Sequence, residues 1–312
     1  MRFLLLTWAL LFALTAPALA RIVTDHESRT VEVPDHPQRI LSLHDWTITV
    51  MARELDAPLI GSIGRASPDG QPFIRGAREL FGLTFDQIAL ASLHGKPDLE
   101  RIRAFKPDLI IANVGDFTAL TDQLSVIAPT LMFNPENGKP PLVLYREFAG
   151  WIGRQARFDE LKAGYDRKLE QTRAALGPSA GGSYAAILAD GRDGSLTVLK
   201  QYGVLTVVLD DLGLHRVALA DSVPEDQGRM RIGAELLDEI NADMIVTTYL
   251  PENGATAQSI FTDLERIAPG YQDFLRAYSQ KRIFSFSRYE VYPTSFKGAS
   301  MLLDRLRDLY DN

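Results

Sequence analysis

The 312-residue chain contains no cysteine. That excludes disulfides, thiolate metal sites, iron–sulfur clusters, a cysteine nucleophile and attachment of a lipid through an N-terminal Cys. Basic runs are missing too. Lys plus Arg total 33 against 40 Asp plus Glu, a formal charge of -7, so nothing in the chain can track a phosphate backbone and nucleic acid is no partner. After the first twenty residues no apolar stretch approaches the roughly 20 residues that a bilayer-spanning helix needs. Walker A, G-x-G-x-x-G and H-E-x-x-H patterns are absent. Gly177-Pro178-Ser179-Ala180-Gly181 does fit G-x-S-x-G, but it follows a helical pattern and precedes a strand, the reverse of the turn that presents a nucleophilic serine. It reads as a flexible exit from the helix, and catalysis gains no support.

What is present is an ordinary globular composition, 46% hydrophobic and 23% charged. Residues 1–20 read as a secretory signal: one charge at Arg2, an apolar stretch from Phe3 to Ala16, then Pro17-Ala18-Leu19-Ala20 with small residues where signal peptidase needs them. An exported chain with no lipid-bearing Cys would diffuse away from a cell with one membrane. The expected compartment is therefore the periplasm of a Gram-negative cell, with a soluble mature protein.

From Arg39 onward short aliphatic runs alternate with amphipathic stretches, which predicts an α/β fold with mainly parallel sheets. Strands are expected at Ile40–Leu43, Pro58–Gly61, Leu109–Ala112 and Thr130–Phe133, then at Tyr184–Ala189, Met244–Thr248 and Arg282–Phe286. Helices are expected near Thr47–Leu55, Leu99–Phe105, Thr118–Ile127, Gln201–Leu212, Ala234–Ile240 and Thr294–Tyr310. Between the two sets, apolar residues from Tyr145 to Leu176 recur every three to five positions without a proline, predicting one helix of about 48 Å. The competing reading is two helices broken at Gly150 or Gly164. The expected division is a signal at 1–20, an N-terminal lobe at 21–142, a connecting helix at 143–178 and a C-terminal lobe at 179–312. Both lobes also carry a Glu eight residues before an Asp that leads into a buried strand, Glu100 with Asp108 and Glu235 with Asp243.

Two segments have a familiar look. Val33-Pro34-Asp35-His36-Pro37-Gln38-Arg39-Ile40-Leu41-Ser42-Leu43, followed by Leu55-Asp56-Ala57-Pro58-Leu59-Ile60-Gly61, resembles the opening of periplasmic ferric-siderophore-binding proteins. So do Gly95-Lys96-Pro97-Asp98-Leu99-Glu100 and Lys106-Pro107-Asp108-Leu109-Ile110-Ile111. The resemblance implies a class III periplasmic binding protein, two α/β lobes joined by one long backbone helix. It implies the substrate-binding protein of an ABC importer, a monomer that delivers a ferric siderophore or similar chelate to an inner-membrane permease and its ATPase. It also implies that Glu100 and Glu235 dock on arginine pockets of the permease. A siderophore surrounds its iron, so no cofactor and no protein metal ligand are expected.

Ligands of α/β sheets bind beyond the carboxyl ends of the strands. The expected cleft residues are then Trp46, Arg65, His94 and Asn113 in the first lobe, and Arg192, Tyr249, Arg288, Tyr289 and Tyr292 in the second. Aromatic rings pack an organic shell, and guanidinium forks grip negative oxygens in pairs. The competing readings are a carrier of haem or cobalamin and a binder of bare Zn or Mn through His44, His94 and a carboxylate of the other lobe. From a different class comes a periplasmic enzyme or signalling module on the same fold.

Overall fold

The computed structural model describes residues 20–177 and 181–310. The signal segment, apart from Ala20, and the middle of the G-x-S-x-G match lie outside the described residues. Among the described residues no helix is long and apolar enough to cross a membrane.

The chain opens with an antiparallel hairpin, β1 (Ala20–Thr24) and β2 (Thr30–Pro34), that the sequence reading did not anticipate. The first sheet is built from β3 (Ile40–Leu43), β4 (Leu59–Ala66), β5 (Pro72–Phe73), β6 (Ala89–Leu93), β7 (Leu109–Asn113) and β8 (Thr130–Phe133). Its order is β5-β4-β3-β7-β8, with β6 also paired to β4, and every pairing except β4 with β5 is parallel. Strands β3 and β8 are buried at every position, as expected of strands covered on both faces. Helices α1 (Thr47–Glu54), α2 (Ala77–Phe81), α3 (Leu99–Ala104) and α4 (Thr121–Ile127) supply the crossovers.

The connection is two helices, α5 (Pro141–Trp151) and α6 (Gln155–Leu176). The long helix is α6, about 33 Å at 1.5 Å per residue. The expected single helix from residue 145 is interrupted at neither Gly150 nor Gly164 but at Gly153, which holds a left-handed φ of 67°. A Cβ there would lie 2.7 Å from the carbonyl oxygen of Asp35, so glycine is required both for the dihedral and for the close approach.

The second sheet comprises β9 (Ser183–Asp190), β10 (Ser195–Leu199), β11 (His215–Arg216), β12 (Arg229–Ile232), β13 (Met244–Tyr249) and β14 (Ile283–Ser287), in the order β12-β10-β9-β13-β14 with β11 also on β9. Strands β10 and β12 run antiparallel to their neighbours. Helices α7 (Gly203–Leu212), α8 (Ser259–Ile267), α9 (Arg276–Ser279), α10 (Arg288–Val291) and α11 (Phe296–Tyr310) complete the chain. The segment Ala234–Ile240 forms 3-10 turns rather than the expected α-helix.

The repeated Glu…Asp pattern has a structural counterpart. Asp108 enters β7 and accepts the backbone N–H groups of Gln38 (2.7 Å) and Arg39 (2.9 Å) beside the neighbouring strand β3. Asp243 enters β13 and accepts the N–H (2.8 Å) and hydroxyl (2.9 Å) of Ser183 at the start of the neighbouring strand β9. Each lobe uses one carboxylate to fix the start of two adjacent parallel strands.

A single apolar cluster runs through both lobes and the connection, taking in Ile48, Tyr145, Phe148, Phe158, Tyr165, Val246 and Leu303. Phe296 is its meeting point, with ring centroids 5.4 Å from Tyr145, 5.3 Å from Phe158 and 5.9 Å from Tyr165.

Candidate functional site

Strand β3 ends in His44-Asp45-Trp46, and the turn into α1 is held by buried polar contacts. Thr49 Oγ1 donates to Ser42 Oγ (2.8 Å) and lies 2.6 Å from Ser62 Oγ, while His44 Nδ1 accepts the Thr47 N–H at 3.1 Å. Burial pushes the His44 pKa down to about 4, against the opposing pull of Asp45. With Nδ1 engaged and the ring buried, His44 orders the turn. Among the described residues no three His, Asp or Glu side chains gather where they could hold a metal.

Asp45 is fully buried and takes both prongs of the Arg75 guanidinium, Nε at 2.8 Å and a terminal nitrogen at 2.7 Å. Burial alone would raise the Asp45 pKa; hydrogen bonds and charge from Arg75 outweigh it and hold the carboxyl below its usual value. The same guanidinium lies 4.1 Å over the Trp46 ring. Trp46 in turn meets the second lobe, with centroids 4.6 Å from Tyr292 and 5.8 Å from Tyr289. The Tyr292 ring lies tilted against Tyr202 at 4.8 Å between centroids, and its hydroxyl donates to Glu136 at 3.0 Å. Trp46, Tyr289 and Tyr292 thus form the junction of the lobes at the base of the cleft.

The other first-lobe residues stand at neighbouring strand ends: Arg65 on β4, His94 after β6 and Asn113 closing β7. His94 is 3.7 Å from Asp116, to which Asn113 Nδ2 donates at 3.2 Å. Burial, then the positive charge of Arg65, lower the His94 pKa, with Asp116 opposing. A shared feature marks this wall. Trp46 Nε1, Arg65 Nε, His94 Nδ1 and Asn113 Oδ1 are all buried atoms without a hydrogen-bond partner. Buried polar atoms are normally paired; eight others without a hydrogen-bond partner occur among the described residues, and what sets these four apart is that they stand together at the strand ends of the first lobe.

On the second lobe Arg192, Tyr249 and Arg288 line one cavity of about 530 Å³ at the carboxyl ends of β9, β13 and β14. Arg192 is mostly exposed and closed on Asp190 by bonds of 2.9 and 2.6 Å. Arg288 donates to Thr248 at 3.2 Å and, like Arg65, has no carboxylate within ion-pair distance among the described residues. Helix α10 divides its residues: Arg288 faces this cavity, whereas Tyr289 meets Trp46 and Phe73 of the first lobe. The nine expected residues therefore fall into three sets, one at first-lobe strand ends, one at the ring junction between the lobes and one lining the second-lobe cavity. Arg75 and Glu136 escaped the sequence reading, because each sits in an irregular segment with no pattern to flag it.

Glu100 is exposed in the first turn of α3, which starts beyond the carboxyl end of β6. Glu235 is exposed in the turn after β12. Ile232 pairs with Leu196 and Leu196 with Ala189, so that turn also stands at the carboxyl end of β9. Both glutamates flank the cleft end of their sheet.

Two α/β lobes joined by a long helix, with the cleft at the carboxyl ends of both sheets, define a periplasmic binding protein fold. The FhuD protein from S. pseudintermedius shares it at TM-score 0.73 and 19% identity, covering 94% of this chain and 98% of that one. Staphylococcus aureus SirA, solved in complex with staphyloferrin B, matches at TM-score 0.72 and 18% identity, covering 93% of this chain and 98% of its own. A model of the periplasmic binding protein family matches residues 73–287, and the chain belongs to that family. Among curated relatives, the ferric enterobactin-binding periplasmic protein FepB of Escherichia coli is 35% identical over 178 residues, 53% of this chain and 54% of that protein. The probable siderophore-binding lipoprotein YfiY of Bacillus subtilis is 24% identical over 273 residues, 80% of each chain. The family is one of binding proteins.

Proposed function

We propose that this chain is the periplasmic substrate-binding protein of an ABC importer in a Gram-negative cell, and that it carries an anionic ferric siderophore to an inner-membrane permease and its ATPase. The observation that carries this reading is the first-lobe wall, where four strand-end residues each present a buried, unpartnered polar atom. Arg65 in the first lobe and Arg288 in the second add guanidinium groups with no carboxylate within ion-pair distance among the described residues, which suits negative oxygens on the surface of a chelate. The chelate itself supplies every iron ligand, so the protein needs no cofactor of its own, and in this reading it works as a monomer. The relatives' names, ferric enterobactin-binding and siderophore-binding, support the same cargo class.

Native mass spectrometry of the protein taken from iron-starved cells tests this directly. The expected result is a 1:1 complex whose added mass contains one iron and an organic chelator. A bound mass without iron, or bare Zn or Mn, would overturn the reading.

A further inference from the structure

The second-lobe cavity has a lining that discriminates between chelate chemistries. Ser195, Thr197, Thr247, Thr248, Thr262 and Ser285 are among the residues that line it, beside the aliphatic Leu188, Leu250 and Ile260, and Tyr249 is its single aromatic residue. Its charge balance is positive. Asp190 is neutralised by Arg192, and Asp263 accepts the Gly191 N–H at 3.2 Å, while Arg266 and Arg288 have no carboxylate within ion-pair distance among the described residues. The aromatic residues at the cleft base are already engaged. Trp46 lies between Arg75 and Tyr292, Tyr292 packs on Tyr202, and Tyr289 is buried.

A catechol that has given both oxygens to iron keeps acceptor lone pairs only on those metal-bound oxygens, close to the iron, and its outer part presents ring faces and edges to a protein. Those need apolar or aromatic surfaces, and a wall of hydroxyls against them would leave polar groups unpaired. A carboxylate or hydroxycarboxylate arm behaves differently. One of its two carboxylate oxygens binds the metal, and the other still accepts hydrogen bonds from hydroxyls and guanidinium forks. We infer that the chelate is of the carboxylate class and that one of its carboxylate-bearing arms occupies the second-lobe cavity, held by Arg288 and the surrounding Ser and Thr hydroxyls. The inference rests on the ferric-chelate reading above and narrows it.

The test titrates the purified chain with three preformed probes: ferric citrate, ferric tris(N,N-dimethyl-2,3-dihydroxybenzamide), a catecholate with no carboxylate, and ferrioxamine B. Binding is read as quenching of tryptophan emission and as iron co-eluting with the protein in gel filtration. Ferric citrate is expected to bind at least about tenfold more tightly than the other two, and Arg288→Gln to weaken citrate binding by about tenfold or more while the melting temperature stays within a few degrees. Equal or tighter binding of the catecholate or the hydroxamate overturns the carboxylate assignment and leaves the ferric-chelate reading standing. Citrate binding undiminished in the Arg288→Gln protein overturns the placement of the arm. Failure of all three probes to bind overturns the carboxylate assignment, and the ferric-chelate reading is then decided by the mass of the native complex.

Discussion

Arg75 shows why counting arginines beside a cleft overstates the charge available to a ligand. Its fork is closed on Asp45 and its face is covered by Trp46, so it supplies shape rather than charge. Lysine would keep the charge and lose both the fork and the planar face. Arg75→Lys is therefore expected to lower stability by about 1–3 kcal/mol, to shift the emission of the ligand-free protein to the red as Trp46 loosens, and to weaken quenching by the chelate. Urea denaturation followed by fluorescence checks all of this, and emission identical to the parent protein would dismiss the positioning role. His44 gives a second residue-level expectation. Its folded pKa of about 4 lies below the unfolded value of about 6.5, so the folded state resists protonation. The stability held above pH 6.5 is lost progressively as pH falls toward 4, by about 3 kcal/mol in all. His44→Asn keeps an acceptor for the Thr47 N–H and removes the titration. Its unfolding free energy should change less between pH 7 and pH 4.5 than that of the parent protein, with a residual slope from His26 and His94, whose pKa values burial also lowers. Equal slopes would remove His44 from the acid response.

At the level of elements, the connection separates what local pattern carries from what it cannot. The apolar rhythm Tyr145, Phe148, Ile152, Ala156 reads straight across the break, yet Ala156 is exposed and it is Phe158 that joins Tyr145, Phe148 and Ile152 in the shared core. The break itself is imposed from outside by the approach of the Asp35 carbonyl to Gly153, and no local pattern encodes that contact. Gly153→Ala should consequently destabilise the protein by about 1–3 kcal/mol. Gly150→Ala, inside α5 with its nearest outside neighbour 3.5 Å from the added carbon, should be neutral or slightly stabilising. Thermal melts of the pair test this, and matching losses would show that the turn is not strained. The same distinction explains the rest of the fold. Strands Ile40–Leu43 and Thr130–Phe133 were legible as short buried runs, whereas Arg229–Ile232 alternates charged and apolar residues and carries no run to detect. Trp46 and Asn113 stand where the legible strands Ile40–Leu43 and Leu109–Ala112 end, whereas β6, which precedes His94, was not among the expected strands and β4 runs on past Gly61 to carry Arg65. Arg75 depends on how an irregular segment returns beneath the second lobe, which only the folded chain reveals.

Across the whole molecule the lobes are tied behind the cleft as well as at its base. Glu54 of α1 accepts hydrogen bonds from Tyr145 (2.8 Å), Ser295 (3.1 Å) and the backbone N–H groups of Phe296 (2.9 Å) and Lys297 (2.6 Å), so a first-lobe carboxylate caps the second-lobe helix α11. With the lobes fixed at both places, the distance between Glu100 and Glu235 is set by the fold rather than by a hinge. Two exposed carboxylates at a fixed spacing on the cleft end of both sheets suit a partner that must receive cargo from that cleft and that carries positive charge at matching positions. Replacing both with alanine should leave chelate affinity within about twofold, since neither lines the second-lobe cavity nor belongs to the first-lobe wall, while lowering uptake through the reconstituted permease by about tenfold or more. Interaction between exposed charges is screened by salt, so docking of the parent protein on permease vesicles should weaken as ionic strength rises and that of the double variant should respond less. Lost chelate binding in the double variant would move these glutamates into the site. Uptake equal to that of the parent protein would show that the permease recognises another surface.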